Sequence, residues 1–207
     1  MADDDRILVL GIGNLLWADE GFGVRCVEAF NARWRVPERV TVLDGGTQGL
    51  YLLPYLTEVR RLIVFDAIDY GLPAATLRLV ENDEVPRFMG VKKMSLHQTG
   101  FQEVLASAEL LGELPREMLL IGVQPVELED YGGSLRPAVR ARVAEAVDIA
   151  AARLRAWGVD LHPAAPAQEE GAGATDALAL DGYEAGRPPP EAAWRMGDLR
   201  FHPDAAG

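Results

Sequence analysis

Cysteine is nearly absent, with Cys26 the only one in 207 residues. A single thiol excludes an internal disulfide and any metal cage built from several cysteines. Beside Val27 and Phe30 in a predicted helix, it reads as a small hydrophobe of the core. Basic residues are also outnumbered, 20 Lys and Arg against 32 Asp and Glu, which gives a formal net charge of -12. Such a chain repels phosphate backbones and anionic lipid, so no nucleic-acid partner is expected. Long apolar runs are missing too. Residues 118–123 are among the longest, far short of the roughly 20 that a membrane helix needs, so no membrane insertion is expected. The start, Met1-Ala2-Asp3-Asp4-Asp5, is acidic where a secretory signal is basic and then apolar, which makes the cytoplasm the expected compartment.

Several catalytic signatures are lacking. There is no Gly-x-Ser-x-Gly elbow, no phosphate loop ending Gly-Lys-Ser/Thr and no His-Glu-x-x-His helix. Gly11-Ile12-Gly13 follows a predicted strand as in dinucleotide-binding proteins, but Leu16 stands where the third glycine belongs. Asp44 lies beyond the usual spacing of about 20 residues to the ribose-binding acid. Asp19-Glu20 would also set negative charge where a pyrophosphate needs positive potential. No nucleotide cofactor is expected.

What remains is a regular alternation of strand and helix. Ile7 to Ile12 is an apolar run of the kind that forms a strand buried on both faces. Val24, Val27, Phe30 and Trp34 mark a helix after it. Residues 40–43, 61–66 and 118–124 are further strands, and residues 76–80 alternate as a half-exposed edge strand. A helix over residues 48–56 carries Pro54 inside it. Residues 81–94 read as an irregular surface excursion. Ser95-Leu96-His97-Gln98 reads as a capping box, with Phe101, Val104, Leu105, Ala108 and Leu111 as the apolar stripe that follows. One final helix is expected from Pro137 to Trp157, stopped by Gly158. The fold class is therefore α/β, a three-layer sandwich with a mostly parallel twisted sheet and helices on both faces.

The length suits one domain of roughly 150 residues with an appendage. The expected division is residues 1–162 as the domain and 163–207 as a tail. The last 45 residues carry six Pro, six Gly and eight acidic against three basic residues. That composition lacks the periodic apolar surface needed to offset chain entropy, and the tail is expected to be disordered or loosely docked. One island, residues 194–201, is apolar enough to dock.

In open α/β sheets, ligands bind outside the carboxyl ends of the strands. Here the predicted strand ends carry Asn14 with Asp19-Glu20, then Asp44, Asp66 and Gln124. His97, in a first helical turn, joins the same rim if its helix follows the usual crossover. Singly each has a structural reading, and Asp19 in particular suits an N-cap or a first-turn acid favoured by the helix dipole. Together, one imidazole and two or three carboxylates suit a borderline divalent ion such as zinc or nickel, with positions open for water or substrate.

Gly11-Ile12-Gly13-Asn14-Leu15-Leu16, Asp19-Glu20-Gly21-Phe22-Gly23, Asp44-Gly45-Gly46-Thr47, Asp66-Ala67 and His97-Gln98 follow one another in an order and spacing that resembles the nickel-iron hydrogenase maturation endopeptidases. The similarity runs from about Arg6 to Gly158. It implies a three-layer α/β fold and removal of a C-terminal extension from the hydrogenase large-subunit precursor after nickel insertion. By this resemblance Glu20, Asp66 and His97 contact the metal, and Asp44 lies close by with a possible catalytic role. The cofactor implied is nickel supplied by the substrate, and the partner is the precursor itself. A non-cleaving binding protein for the immature large subunit is the alternative that the same motifs leave open.

Overall fold

Six successive residues without solvent access make β1 (Ile7–Ile12), the inner strand around which the rest is laid. The chain then turns through a 3-10 segment (Ala18–Gly21) into α1 (Phe22–Arg33), a two-residue strand β2 (Trp34–Arg35) and β3 (Val40–Gly46). A second 3-10 turn (Gly49–Leu52) leads into α2 (Leu53–Thr57), β4 (Arg61–Ala67) and β5 (Leu77–Glu81). Next come α3 (Glu84–Met89), α4 (Leu96–Leu111), β6 (Glu117–Val123), α5 (Pro137–Arg140), α6 (Val143–Ala156) and β7 (His162–Pro163). This computed structural model describes residues 5–89 and 96–164. The expected N-cap at Ser95, the apolar island and nearly all of the tail lie outside the described residues.

The main sheet has the order β3-β1-β4-β6-β5, with β5 antiparallel to β6 and the other pairings parallel. β2 and β7 form a separate antiparallel pair. Alternate residues of each strand feed two cores. Ile7, Val9, Ile63, Phe65, Leu119 and Ile121 pack with Phe22, Phe30, Val147 and Leu154 of α1 and α6. Leu8, Leu10, Leu62, Val64, Met118 and Leu120 pack with Leu56, Phe101, Val104 and Leu105 of α2 and α4. These are the expected three layers, a mostly parallel sheet covered on both faces. Each buried large aliphatic side chain contributes about 1.5–3 kcal/mol by leaving water.

The expected elements differ from the structure in several places, and Trp34, expected in the first helix, opens β2 instead. Pro54 does not interrupt a helix, because the helix itself starts at Leu53 and its opening positions need no backbone N–H. The excursion after β5 contains α3, with Pro86 in its first turn. The last helix is two: at Arg142 the backbone N–H bonds to the carbonyl of Val139, three residues back, and the guanidinium reaches the carbonyl oxygen of Ala75 at 3.0 Å. Leu111 is not part of the core stripe: at the last position of α4 it is exposed, as is Leu110 beside it. The edge position of β5 and the stop at Gly158, with φ of +77°, agree with the expectation. No helix among the described residues is long and apolar enough to cross a membrane.

Candidate active site at the carboxyl edge of the sheet

From β1 the chain leaves by way of α1 toward β3, and from β4 it leaves toward β5 and β6 on the other side. The connections therefore part between β1 and β4, where open α/β sheets form their ligand crevice. Gly23 brings the start of α1 hard against both strand ends: a β-carbon there would lie 2.2 Å from the carbonyl oxygen of Ile12 and 2.3 Å from that of Phe65. No other residue permits that approach.

The loop before α1 folds back on the end of β1. Leu16 donates to Oδ1 of Asn14 at 3.0 Å, Glu20 N–H donates to the Trp17 carbonyl at 2.8 Å, and Asn14 N–H donates to the Glu20 carbonyl at 3.2 Å. Glu20 is thereby seated on Gly13, at the mouth of the crevice, in a turn that also touches β4. The 3-10 conformation places Glu20 before the helix proper, which begins at Phe22.

Asp66, near the end of β4, has no solvent exposure. Its neighbours in β4 alternate between the cores, and Asp66 shares the α4 side with Leu62 and Val64. Its register partner in β6 is Gly122. Above Gly122 lies the Tyr70 hydroxyl, so close that a β-carbon at 122 would come within 1.9 Å of it. Burial first and the nearby charge of Asp66 second push the Tyr70 phenol well above the usual tyrosine range, so it stays protonated. Gln124 fixes this corner by accepting from the backbone N–H groups of Tyr70 (2.7 Å) and Leu72 (3.1 Å) and donating to Asp69 (3.0 Å). Expected at the rim, Gln124 is a buried clamp.

Asp44 is placed apart from Asp66. It pairs in register with Gly11 and shares the α1 side of β3 with Val40 and Val42, while β1 separates it from β4. Two strand spacings, roughly 10 Å, lie between β3 and β4. The carboxylate keeps solvent access and accepts the Gly46 N–H at 2.9 Å. Neighbouring protein raises its pKa above the usual aspartate range, an effect opposed by the Gly46 hydrogen bond and by the charge of Arg25. Arg25 is a buried cation of α1 that also binds Glu28 at 2.8 Å.

His97 belongs to the first turn of α4, and its side chain lies outside the described residues. The helix is located by a close approach one turn later, where a β-carbon on Gly100 would meet the Gly49 α-carbon at 3.3 Å, three residues beyond Gly46. Among the described residues no three His, Cys, Asp or Glu side chains form a metal-holding group.

Asp19 lies in the first turn of the 3-10 segment, as one of its two expected readings has it, but it caps nothing there. Its carboxylate accepts three backbone N–H groups from the segment between β6 and α5. Tyr70, near Asp66, and Arg25, near Asp44, are further residues that the sequence reading did not single out. Each lies close to a singled-out carboxylate, but only the folded chain shows which aromatic and which arginine that is.

The hydrogenase maturation protease model matches residues 24–153. HupD of Rhodobacter capsulatus, a hydrogenase expression/formation protein, is 57% identical over 98% of this chain and 95% of its own length. The chain belongs to the hydrogenase maturation protease family. HoxM of Azotobacter vinelandii is 59% identical over 96% of this chain and 95% of its own length. The hydrogenase maturating endopeptidase HybD from E. coli, a solved structure, has 41% identity and a TM-score of 0.72 over 76% of this chain and 97% of its own. The Rhodobacter match thus takes in most of the segment after residue 164, which the E. coli fold does without. The carboxyl-terminal segment is therefore shared with family members, although the sequence reading had set it outside the family resemblance.

Proposed function

We propose that this chain is the endopeptidase that removes a C-terminal extension from a nickel-iron hydrogenase large-subunit precursor, and that it recognises nickel already carried by that substrate. The observation that supports this reading most is the contact of the Glu20 turn with β4, the strand that carries the buried Asp66, in a chain of this family. His97, one turn from the Gly49–Gly100 contact, is the imidazole that completes the set.

The donor set suits the metal. Two carboxylates and one imidazole fit a borderline divalent ion and leave positions for groups on the substrate and for water. Asp66 is fully buried at the strand end, and a divalent ion bound there balances the charge of its carboxylate. Held by Glu20, Asp66 and His97, such an ion would supply Lewis acidity to the scissile carbonyl and to the attacking water. Asp44, with its pKa raised, takes the role of a proton acceptor approaching from the α1 side. Tyr70 and Gly122 hold the floor beneath Asp66.

The test is incubation of the purified protein with nickel-loaded and nickel-free precursor, read by mass. Loss of the C-terminal segment from the loaded precursor alone is the expected outcome, and Glu20→Gln or His97→Ala should abolish it. Equal cleavage of both precursors would refute metal recognition. Stable binding without any mass change would identify a non-cleaving chaperone instead.

A further inference from the structure

Asp19 sits beside Glu20 and is fully buried. Its Oδ2 accepts from the N–H of Val126 at 2.8 Å and of Glu127 at 2.9 Å, and its Oδ1 accepts from the N–H of Arg136 at 2.7 Å. In return, the Asp19 N–H donates to the Glu127 carbonyl at 3.1 Å. Around this knot, Gly132 N–H donates to the Leu16 carbonyl at 2.7 Å, and the rings of Trp17 and Tyr131 meet edge to face at 5.2 Å. The two segments are more than 100 residues apart in sequence. The residue types are dictated by the donors. Three N–H groups converge on two oxygens, and a carboxamide would have to turn its NH₂ toward at least one of them.

We propose that Asp19 is a positioning residue: it anchors the Glu20 turn to the segment 126–136 and so sets where the Glu20 carboxylate stands in the crevice. The Glu20 backbone is bonded to its own loop, through Trp17 and Asn14. That loop takes its position relative to β6 and α5 from Asp19 and its neighbours. The inference rests on the proposed role of Glu20, and it adds a residue that touches no substrate but fixes one that does.

Arg136 allows a clean test because its φ of -61° and ψ of 144° suit a proline. Arg136→Pro deletes the N–H that reaches Asp19 and leaves two donors in place. Arg136→Ala keeps that N–H and removes only the 2.8 Å ion pair with Asp130. With nickel-loaded precursor, Arg136→Ala should match the wild type. Arg136→Pro and Asp19→Asn should lose roughly 10- to 100-fold in kcat while KM stays within about twofold, as misplacement of one reacting group does. Because they act through Glu20, Arg136→Pro should cost much less in a Glu20→Asp background than in the wild type. Arg136→Pro with the same kcat as Arg136→Ala would overturn the proposal, and so would a full additional loss in the Glu20→Asp background. Glu20→Gln separates the two levels. If that variant cleaves normally, the site reading itself fails; if it is inactive while Arg136→Pro and Asp19→Asn cleave normally, only the positioning inference fails.

Discussion

The α-carbon of Gly13 lies under the carbonyl oxygen of Glu20, and a β-carbon at position 13 would come within 1.8 Å of that oxygen. Gly13 also has φ of +144°, a conformation that side chains rarely adopt. Both facts make the same prediction. Gly13→Ala must displace the Glu20 turn or distort its own backbone, at a cost of about 1–3 kcal/mol. Urea denaturation should show that loss of stability, and the mass assay should show lost processing under conditions where the variant is still folded. Wild-type processing in a folded Gly13→Ala protein would mean that the position of Glu20 does not matter.

Tyr70 and Gly122 make the second pair. A methyl group at 122 would lie 1.9 Å from the Tyr70 hydroxyl and below 3.0 Å from two ring carbons. Gly122→Ala should therefore destabilise by about 1–3 kcal/mol, the usual cost of overpacking. Adding Tyr70→Phe should restore part of it by removing the nearest atom. The phenol also has a signature in pH. Its pKa is raised in the folded state, so its contribution is fully present below the unfolded tyrosine value of about 10 and is lost as pH rises beyond it. Tyr70→Phe should flatten the alkaline decline of stability seen in denaturant melts.

The layers of this fold were legible because they rest on periodicity. The apolar runs at residues 7–12, 61–66 and 118–123 and the stripe of α6 are dictated by burial on one or both faces. The rim was legible as a set of strand-end acids, and the turn that carries Glu20 touches β4, the strand that carries Asp66. Side-chain direction was not legible. Asp44 and Asp66 look equivalent in sequence, yet the pleat and the intervening β1 set them on opposite sides of the sheet. The partners of Asp19 were not legible for a related reason. Its donors come from residues 126–136, and no local pattern reports a partner at that separation.

Cys26 is fully buried in the α1 core, and burial pushes its thiol well above the usual range. A protonated thiol without solvent access does not act as a nucleophile. In the native protein a thiol reagent should modify no cysteine, and one equivalent should react once denaturant unfolds the chain. Cys26→Ala should leave the processing rate unchanged and cost about 1 kcal/mol in stability, as loss of a small buried group does. Rapid native labelling would contradict the packing described for α1.

Asp44 and Arg25 give the most discriminating test of the proton acceptor. The folded-state pKa of Asp44 is raised, chiefly by burial, with the Arg25 charge opposing the rise. Stability from such a group is fully present below the ordinary aspartate range and is lost as pH rises through the folded value. At neutral pH the charged carboxylate is therefore a liability to the fold. Asn at this position can still accept the Gly46 N–H through its amide oxygen. Asp44→Asn should melt at or above the wild-type temperature at pH 7 while processing falls, the expected trade between stability and function. The acid limb of kcat/KM for the wild type should lie above the ordinary aspartate range. Arg25→Gln should move that limb higher still, because the charge that favours the carboxylate is gone. A limb that stays in place in Arg25→Gln, or persists in Asp44→Asn, would assign the proton transfer to another group.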